Sequence, residues 1–534
     1  MKLTRLRVEN HRRLSDLEIE VREHLVLVGA NDVGKSSLLR CLDLLLGAST
    51  AQLYSRISAD DFGDADQPLV IEARLTDFTR IDQSLFPDEI HYEPATDSSW
   101  LIVRLTATID DNQTISIERA APEGGTNRQL SRDQLVGLGW KYLSAANQTR
   151  DLREDRRSTL DDILKTVDLG AEKKEFEAIA TSLADTLSGS TTLETLRASL
   201  AEQLSKALPQ PIIQDDLSFI PGAAADDDPL SDVRLQVSKN GIARNLSEQS
   251  DGTRALYAMA LYDLMSAGAN VVGIDEPEIH LHPTSQRSLA RLLKSNPNQK
   301  IIATHSSDIV SAFDADSIVV VRAGGEVVQP TEGFLSADEK LVVRWWVRDR
   351  LEPLTSRRVL AVEGPSDRIV VERAADLTNR NLDRLGVSIV EAGSKTAMPS
   401  VEKLFGLNGF RVPLSQLVDE DAEADTAKRF AVDAADLPDH SVWVSRIDLE
   451  DEYVRALGAS TVWTALGAST MFTPKQLRMW PANGPGGTHT ESDVASFCRK
   501  RKVEAAIVVA SILTEATAQA IKSVEDILQE AATV

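Results

Sequence analysis

The sequence predicts an α/β protein of at least two domains, and three observations carry that prediction. A fully apolar strand, Leu25-Val26-Leu27-Val28, runs into a glycine-bounded loop and then an amphipathic helix. Short apolar runs of parallel-sheet type, Val271 to Ile274, Ile301 to Ala303 and Ser317 to Val321, recur with helix-length segments between them. A second series, Val359 to Val362, Val387 to Val390, Leu414 to Val418 and Val442 to Ser445, starts near Arg358, so a second sheet is expected there.

Length and composition agree with this reading. A chain of 534 residues exceeds one ordinary hydrophobic core, and 42% hydrophobic with 26% charged residues is usual for a globular protein. No apolar run approaches the roughly 18 residues of a membrane span, and Met1 to Arg5 opens no signal-peptide core, so a cytoplasmic protein without a membrane partner is expected. Cys41 and Cys498 stand too far apart in sequence to suggest a metal-ligand pair or a disulfide framework. A net charge of -24 argues against a protein that coats nucleic acid indiscriminately, while leaving room for a local basic groove. Arg12-Arg13, Arg156-Arg157, Lys173-Lys174 and Arg499 to Lys502 are the clusters that could build one, although a solvated surface is the commoner role of each alone.

In chain order, residues 1 to 28 read as two strands, with Leu3, Leu6 and Val8 alternating in the first. Leu69 to Leu75, Trp100 to Ile109 and Thr114 to Ile117 suggest an antiparallel subdomain. Apolar residues from Leu160 to Leu208 then recur every three or four positions, the period of a helix, until Pro209 and Pro211 stop it. The expected boundaries are a first domain in two parts, 1–157 and 231–352, a helical insert at 158–230 suited to dimerisation, and a second domain at 353–534 ending in helices from Asp493 onward.

Gly29-Ala30-Asn31-Asp32-Val33-Gly34-Lys35-Ser36-Ser37 fits G-x-x-x-x-G-K-[ST] between a strand and a helix. Gly29, Asn31 and Gly34 wrap phosphates with backbone N–H groups, Lys35 supplies charge, and Ser36, with Ser37 beside it, offers a hydroxyl to Mg²⁺. Asp275 and Glu276 end the strand from Val271, as a magnesium-holding acid and a water-polarising acid would. ATP and Mg²⁺ are therefore the expected cofactors. Ser250-Asp251-Gly252, with Ser250 and Gly252 facing the nucleotide, resembles the signature loop of ABC-type ATPases, and His305 resembles their switch histidine. That resemblance implies ATP held between two heads, hence a homodimer or higher homo-oligomer.

Farther on, Glu363-Gly364-Pro365-Ser366-Asp367 follows an apolar strand, and Asp419-Glu420-Asp421 ends a later one. Alternate strand-end residues can face one pocket, so Asp419 and Asp421 are expected to converge with Glu363. Oxygen ligands of this kind suit Mg²⁺ or Mn²⁺.

The order E-G-x-x-D then D-x-D resembles the Toprim domain of topoisomerases, primases and certain nucleases. An ABC-type P-loop ATPase head with a helical insert, followed by a Toprim α/β domain, resembles the OLD (overcoming lysogenization defect) family over nearly the whole chain. The resemblance implies an ATPase and a metal-dependent DNA endonuclease using two ions, with anti-phage defence as the role of several members and a separately encoded protein as a possible partner. It implies Glu363, Asp367, Asp419, Asp421 and Glu450 as metal ligands and Lys502 as a catalytic lysine beside Glu276 and His305 of the ATPase. Gly393 resembles the glycine after the second Toprim strand. Asp448, Asp451 and Glu423 compete with Glu450, and Lys500 with Lys502. The alternatives are an ATP-gated, SMC-like DNA-binding protein that does not cut, and a Toprim enzyme that joins as well as cuts, in the manner of topoisomerases, whose nucleophile would have to be Tyr453, better suited to packing.

Overall fold

The computed structural model describes residues 1–123, 128–143, 170–195, 236–239, 242–245, 269–336, 351–394 and 396–533, with isolated positions such as Gly252. Most of the expected helical insert, Arg156-Arg157 and Ser250 lie outside the described residues. The chain forms two compact units, one of Met1–Gln134 with Ala303–Val534, the other of Leu135–Ile302.

The first unit opens with β1 (Lys2–Glu9), β2 (Leu17–Glu20), β3 (Leu25–Val28), β4 (Leu69–Thr76), β5 (His91–Glu93), β6 (Ser98–Ile109) and β7 (Ile115–Ala120). Except for β3, these form one antiparallel sheet in the order β2-β1-β4-β6-β5, with β7 also on β6. Leu3, Leu6 and Val8 are the buried face of β1, as their alternation requires. Residues 1 to 28 hold three strands rather than the two expected, because β2 turns only Ile19 fully inward and so leaves no period to read. All four residues of β3 are buried, which suits a strand covered on both faces.

The second unit contains β8 (Trp140–Leu143), the antiparallel pair β9 (Gln236–Lys239) and β10 (Ile242–Asn245), then β11 (Val271–Asp275) and nearly all of β12 (Gln299–Ala303). β11 runs parallel to β8 with Val271 opposite Trp140, and every residue of β11 is buried. The amphipathic helix Pro283–Ser295 buries Leu289, Ala290 and Leu293.

Back in the first unit, β13 (Ile318–Val321) lies parallel to β3 and antiparallel to β14 (Val327–Val328). β15 (Arg358–Val362), β16 (Val387–Glu391), β17 (Leu414–Asp419) and β18 (Val442–Ser445) form a wholly parallel sheet in the order β16-β15-β17-β18. Helix Pro365–Leu377 follows β15, helix Glu420–Phe430 follows β17 and helix Leu449–Leu457 follows β18. The expected helical tail is four helices, Glu491–Arg499, Lys502–Ile512, Glu515–Ala520 and Lys522–Ala531. One apolar cluster running from Leu360 to Ala531 packs this sheet against its helices. In an open parallel sheet the loops at the carboxyl ends of the strands are where ligands bind, and Glu363 and Asp419 stand at two such ends.

Candidate active site

The phosphate-type loop and the acid cluster are built from different parts of the first unit. Helix Lys35–Leu42 starts at Gly34, whose φ of 115° is a left-handed conformation that favours glycine. An added Cβ there would also lie 2.7 Å from Leu14 Cδ2. Lys35 is buried, and its ammonium donates to the carbonyls of Gly29 at 3.0 Å and Ala30 at 2.7 Å, which holds it against the loop. Asn31 and Ser36 are exposed and Ser37 is half-buried. The Thr304 N–H donates to the Leu27 carbonyl, so exposed His305 follows a residue bonded to the strand that feeds the loop. In the second unit, Asp275 is buried at the end of β11. Glu276 follows it with a φ of 49°, a strained conformation of the kind that functional sites retain. Gly252 belongs to that unit as well, with the His280 carbonyl oxygen 2.9 Å from where a Cβ would stand.

At the ends of β15 and β17, the carboxylates surround one lysine. Lys502, the first residue of its helix, places Nζ 3.4 Å from Glu450 Oε2 and 3.8 Å from Asp419 Oδ2. Glu450 is 1% exposed and Asp367 9% exposed, so these charges are sheltered from water. Asp367 Oδ2 accepts from the Gly364 N–H at 2.9 Å, and Asp419 Oδ1 from the Leu449 N–H at 3.3 Å. The Gly393 N–H donates to the Glu363 carbonyl, tying the turn after β16 to the end of β15. Asp421 is exposed in the first turn of the 420–430 helix. Its charge reaches Glu363, but not by strand alternation as expected: β17 ends at Asp419, and Glu420 already begins the helix.

The electrostatics follow from this crowding. Burial pushes the Asp419 carboxyl up to about 7, Glu363 adding to the effect and Lys502 opposing it. Burial likewise raises Glu363, with Asp367 adding to it, and raises Glu450 and Asp367 against the pull of neighbouring donors and Lys502. Burial alone would lower Lys502, yet Glu450, Asp419 and Asp367 together raise it. Glu363 Oε1 is buried without a hydrogen-bond partner, and Glu450 Oε2 meets only the Lys502 ammonium. Such oxygens cost free energy unless a cation or donor meets them, so their chemistry fits a hard divalent ion. Among the described residues no three carboxylates already converge on one point, so the acids would have to rotate toward a bound ion.

The competing residues separate in space. Asp448, the N-cap of the 449–457 helix, is gripped by the Arg499 guanidinium, whose Nη2 lies 3.1 Å from its Oδ1. Asp451 pairs with Arg455, and Glu423 with Arg446. Lys500 lies over the Trp480 ring. Tyr453 is buried in the apolar cluster, the packing position expected of it. Sequence reasoning read Arg499 only as part of a basic cluster, not as the residue that ties down the helix carrying Glu450, and it missed Glu452, whose carboxylate receives the Arg446 N–H and the Ser523 hydroxyl. Nothing in a run of acids marks which one a distant serine will hold.

Residues 25–311 match a family model described as "AAA domain, putative AbiEii toxin, Type IV TA system". Residues 354–421 match the "Overcoming lysogenization defect protein-like, TOPRIM domain" model. The chain is 25% identical over 461 residues to the OLD nuclease of Thermus scotoductus, covering 78% of this chain and 82% of that one. It is 25% identical over 171 residues to endonuclease GajA of Bacillus cereus, covering 30% of each chain. Among solved structures, the C-terminal region of the Burkholderia pseudomallei OLD protein aligns with 33% of this chain and 98% of that one, at 19% identity and a TM-score of 0.27.

Proposed function

The chain belongs to the AAA-domain family matched across residues 25–311 and carries an OLD-like TOPRIM domain behind it, and from this premise we propose that it hydrolyses ATP and cuts DNA with the help of divalent metal ions. The observation that carries the proposal is the ring of Glu363, Asp367, Asp419 and Glu450 around Lys502 at the carboxyl ends of a parallel sheet. An acid ring of this density has little structural value on its own, since buried like charges raise one another's pKa values at a cost to stability.

Glu363, Asp367, Asp419, Asp421 and Glu450 are the residues that would hold Mg²⁺ or Mn²⁺, two ions accounting for the number of acids. Such ions activate water and steady a leaving oxygen in phosphodiester hydrolysis. Lys502, braced between Asp419 and Glu450, presents positive charge to the phosphate oxygens as negative charge builds on them. Arg499 and Glu452 keep the 449–457 helix and the Arg446 turn in place behind these groups. In the ATPase, Lys35 would bind phosphate and Ser36 would offer its hydroxyl to Mg²⁺; Asp275 is the acid that would hold Mg²⁺, Glu276 the one that would polarise water, and His305 the group that would sense the γ-phosphate. Asn31 and Ser37 belong to the phosphate loop, and Ser250 and Gly252 would meet the nucleotide of the opposite subunit in a homodimer. The ATPase spans 1–157 and 231–352 around an insert at 158–230, the Toprim nuclease domain spans 353–534, and the biological role is anti-phage defence.

The test is a supercoiled plasmid incubated with Mg²⁺ or Mn²⁺, with and without ATP. Nicked or linear product that disappears in EDTA and in Asp419→Ala protein is expected. Intact plasmid under every metal and nucleotide condition would overturn the nuclease reading.

A further inference from the structure

A chain of net charge -24 concentrates positive charge in one segment. Between Ala456 and Val503 stand Lys475, Arg478, Arg499, Lys500, Arg501 and Lys502, against only Glu491 and Asp493. Asp493 and some of the bases there already have partners. Asp493 completes the capping box that Thr490 opens, and accepts from the backbone N–H groups of Asn483 and Thr490 at 3.0 and 2.9 Å. Arg499 grips Asp448, and Arg501 lies 3.8 Å from Glu504. Lys475, Arg478 and Lys500 are exposed, and no carboxylate among the described residues pairs with them.

The position of Lys500 is fixed rather than random. Its Nζ lies 4.9 Å from the centre of the Trp480 ring, a cation–π contact. Trp480 is itself immobilised: its indole N–H donates to the Asp493 carbonyl at 2.8 Å, and its ring meets Phe497 edge-on at 5.2 Å. Behind it, His489 packs on Trp463 at 3.8 Å. Helix Pro474–Arg478 ends two residues before Trp480, which keeps Lys475 and Arg478 within about one helical turn of chain from the ring that holds Lys500. At the other end, Lys500 and Lys502 straddle Arg501, one on the tryptophan and the other among the catalytic acids.

We infer that Lys475, Arg478 and Trp480-pinned Lys500 form a phosphate track that leads DNA backbone away from the acid ring and holds it on the flank of the bond being cut. This deepens the nuclease reading and rests on it. Holding an ammonium on a rigid ring removes rotamer entropy that a free surface lysine would lose on binding. The track also gives an acidic protein a way to bind a polyanion: one strip attracts phosphate while the remaining surface repels it and so limits non-specific coating. The other occupant that charge would allow is the acidic surface of a second copy of this chain.

The test uses the full-length chain and a fluorescent 30-base-pair duplex in EDTA, so that binding is read without cleavage. Anisotropy titrations between 50 and 200 mM salt compare wild type with Lys475→Gln/Arg478→Gln/Lys500→Gln, while ATPase rate and thermal melting verify the fold. Loss of up to three phosphate contacts should flatten the log–log salt dependence by as much as about 3 and weaken binding at least tenfold at low salt. Trp480→Leu, which frees Lys500 without removing it, should weaken binding by a smaller factor, about 2 to 5. An unchanged slope in a folded triple variant overturns the track. A variant that changes oligomeric state by light scattering, yet binds DNA as wild type does, reassigns the strip to self-association and also overturns it. A wild-type protein that neither binds nor cuts DNA sinks the underlying nuclease reading instead.

Discussion

The guanidinium of Arg322, just past β13, donates to the carbonyl of Phe410 at 2.6 Å and to that of Arg411 at 2.9 Å. This joins the strand beside β3 to the loop entering β17. Three residues after Arg322, Gly325 packs so closely on Arg13 and Leu14 that a Cβ would lie 2.3 Å from the Arg13 carbonyl oxygen. Arg13 in turn bonds Asp32 of the phosphate loop at 3.1 Å. Arg12 pairs with Asp60, so the Arg12-Arg13 cluster is committed within the fold.

That chain of contacts predicts that Arg322 couples the proposed nucleotide and cleavage sites. Arg322→Ala should leave ATP hydrolysis within about twofold and metal-dependent nicking measurable, while abolishing whatever effect ATP has on nicking. Losing a hydrogen bond from a charged donor costs on the order of 1–3 kcal/mol, so a modest fall in melting temperature should accompany it. Undiminished ATP control of nicking in the variant would show that coupling runs elsewhere.

The ATPase assignments make a paired prediction. Lys35→Ala removes the charge aimed at phosphate and should reduce hydrolysis at least a hundredfold together with ATP binding. Glu276→Gln should retain binding but not turnover, and should accumulate a nucleotide-locked dimer on size exclusion. A Glu276→Gln protein that hydrolyses ATP at the wild-type rate would remove Glu276 from the chemistry.

How much of this was legible in the sequence depended on how strongly local pattern determines structure. The β3 bounds, Leu25–Val28, match the apolar run residue for residue, because a strand buried on both faces leaves no polar position to blur its ends. Acids are harder to read. Glu450, Asp448 and Asp451 occupy one short stretch, and only the arrival of Arg499 and Lys502 from a distant segment divides them between anchoring and the acid ring. Asp421 was misplaced onto a strand end because a strand-to-helix junction after Asp419 has no glycine or proline to announce it.

The acid ring predicts a pH dependence of metal-free stability. Asp419 has its folded pKa raised to about 7 from an ordinary 3.8, so the folded state binds its proton more tightly than the unfolded chain does. Stability is therefore lost as pH rises from about 4 toward 7, with Glu363 and Glu450 acting in the same direction. Glu339, held at about 2 mainly by Lys403, acts oppositely but is fully ionised above pH 5. Scanning calorimetry in EDTA should show melting falling between pH 5.5 and 7.5, and Asp419→Asn should lessen the fall. A melting temperature flat across that window would contradict the crowding of these carboxylates.

Arg499 should act by position rather than by contact with DNA. Arg499→Ala frees Asp448, the cap that starts the helix bearing Glu450. Nicking at saturating DNA should fall roughly 10- to 100-fold, the usual effect of losing a partner that orients a metal ligand. The Mn²⁺ concentration for half-maximal activity should rise, and Arg499→Lys should recover part of the loss. If DNA affinity in EDTA fell instead and the Mn²⁺ requirement did not move, Arg499 would belong to the DNA surface.

The last prediction concerns how far the C-terminal module stands alone. Its apolar cluster is drawn entirely from residues between Leu360 and Ala531, so a fragment of residues 353–534 retains every contact of that core. It also keeps Glu363, Asp367, Asp419, Glu450 and Lys502 together, while exposing the Phe410 and Arg411 carbonyls that Arg322 covers in the full chain. The fragment should therefore melt cooperatively, bind two Mn²⁺ per chain by calorimetric titration and gain several degrees of thermal stability from them. It should nick plasmid without responding to ATP. A stoichiometry of one would reject the two-ion reading while leaving a metal nuclease. A folded fragment that binds Mn²⁺ and cuts no DNA would place an essential part of the cleavage machinery in the ATPase.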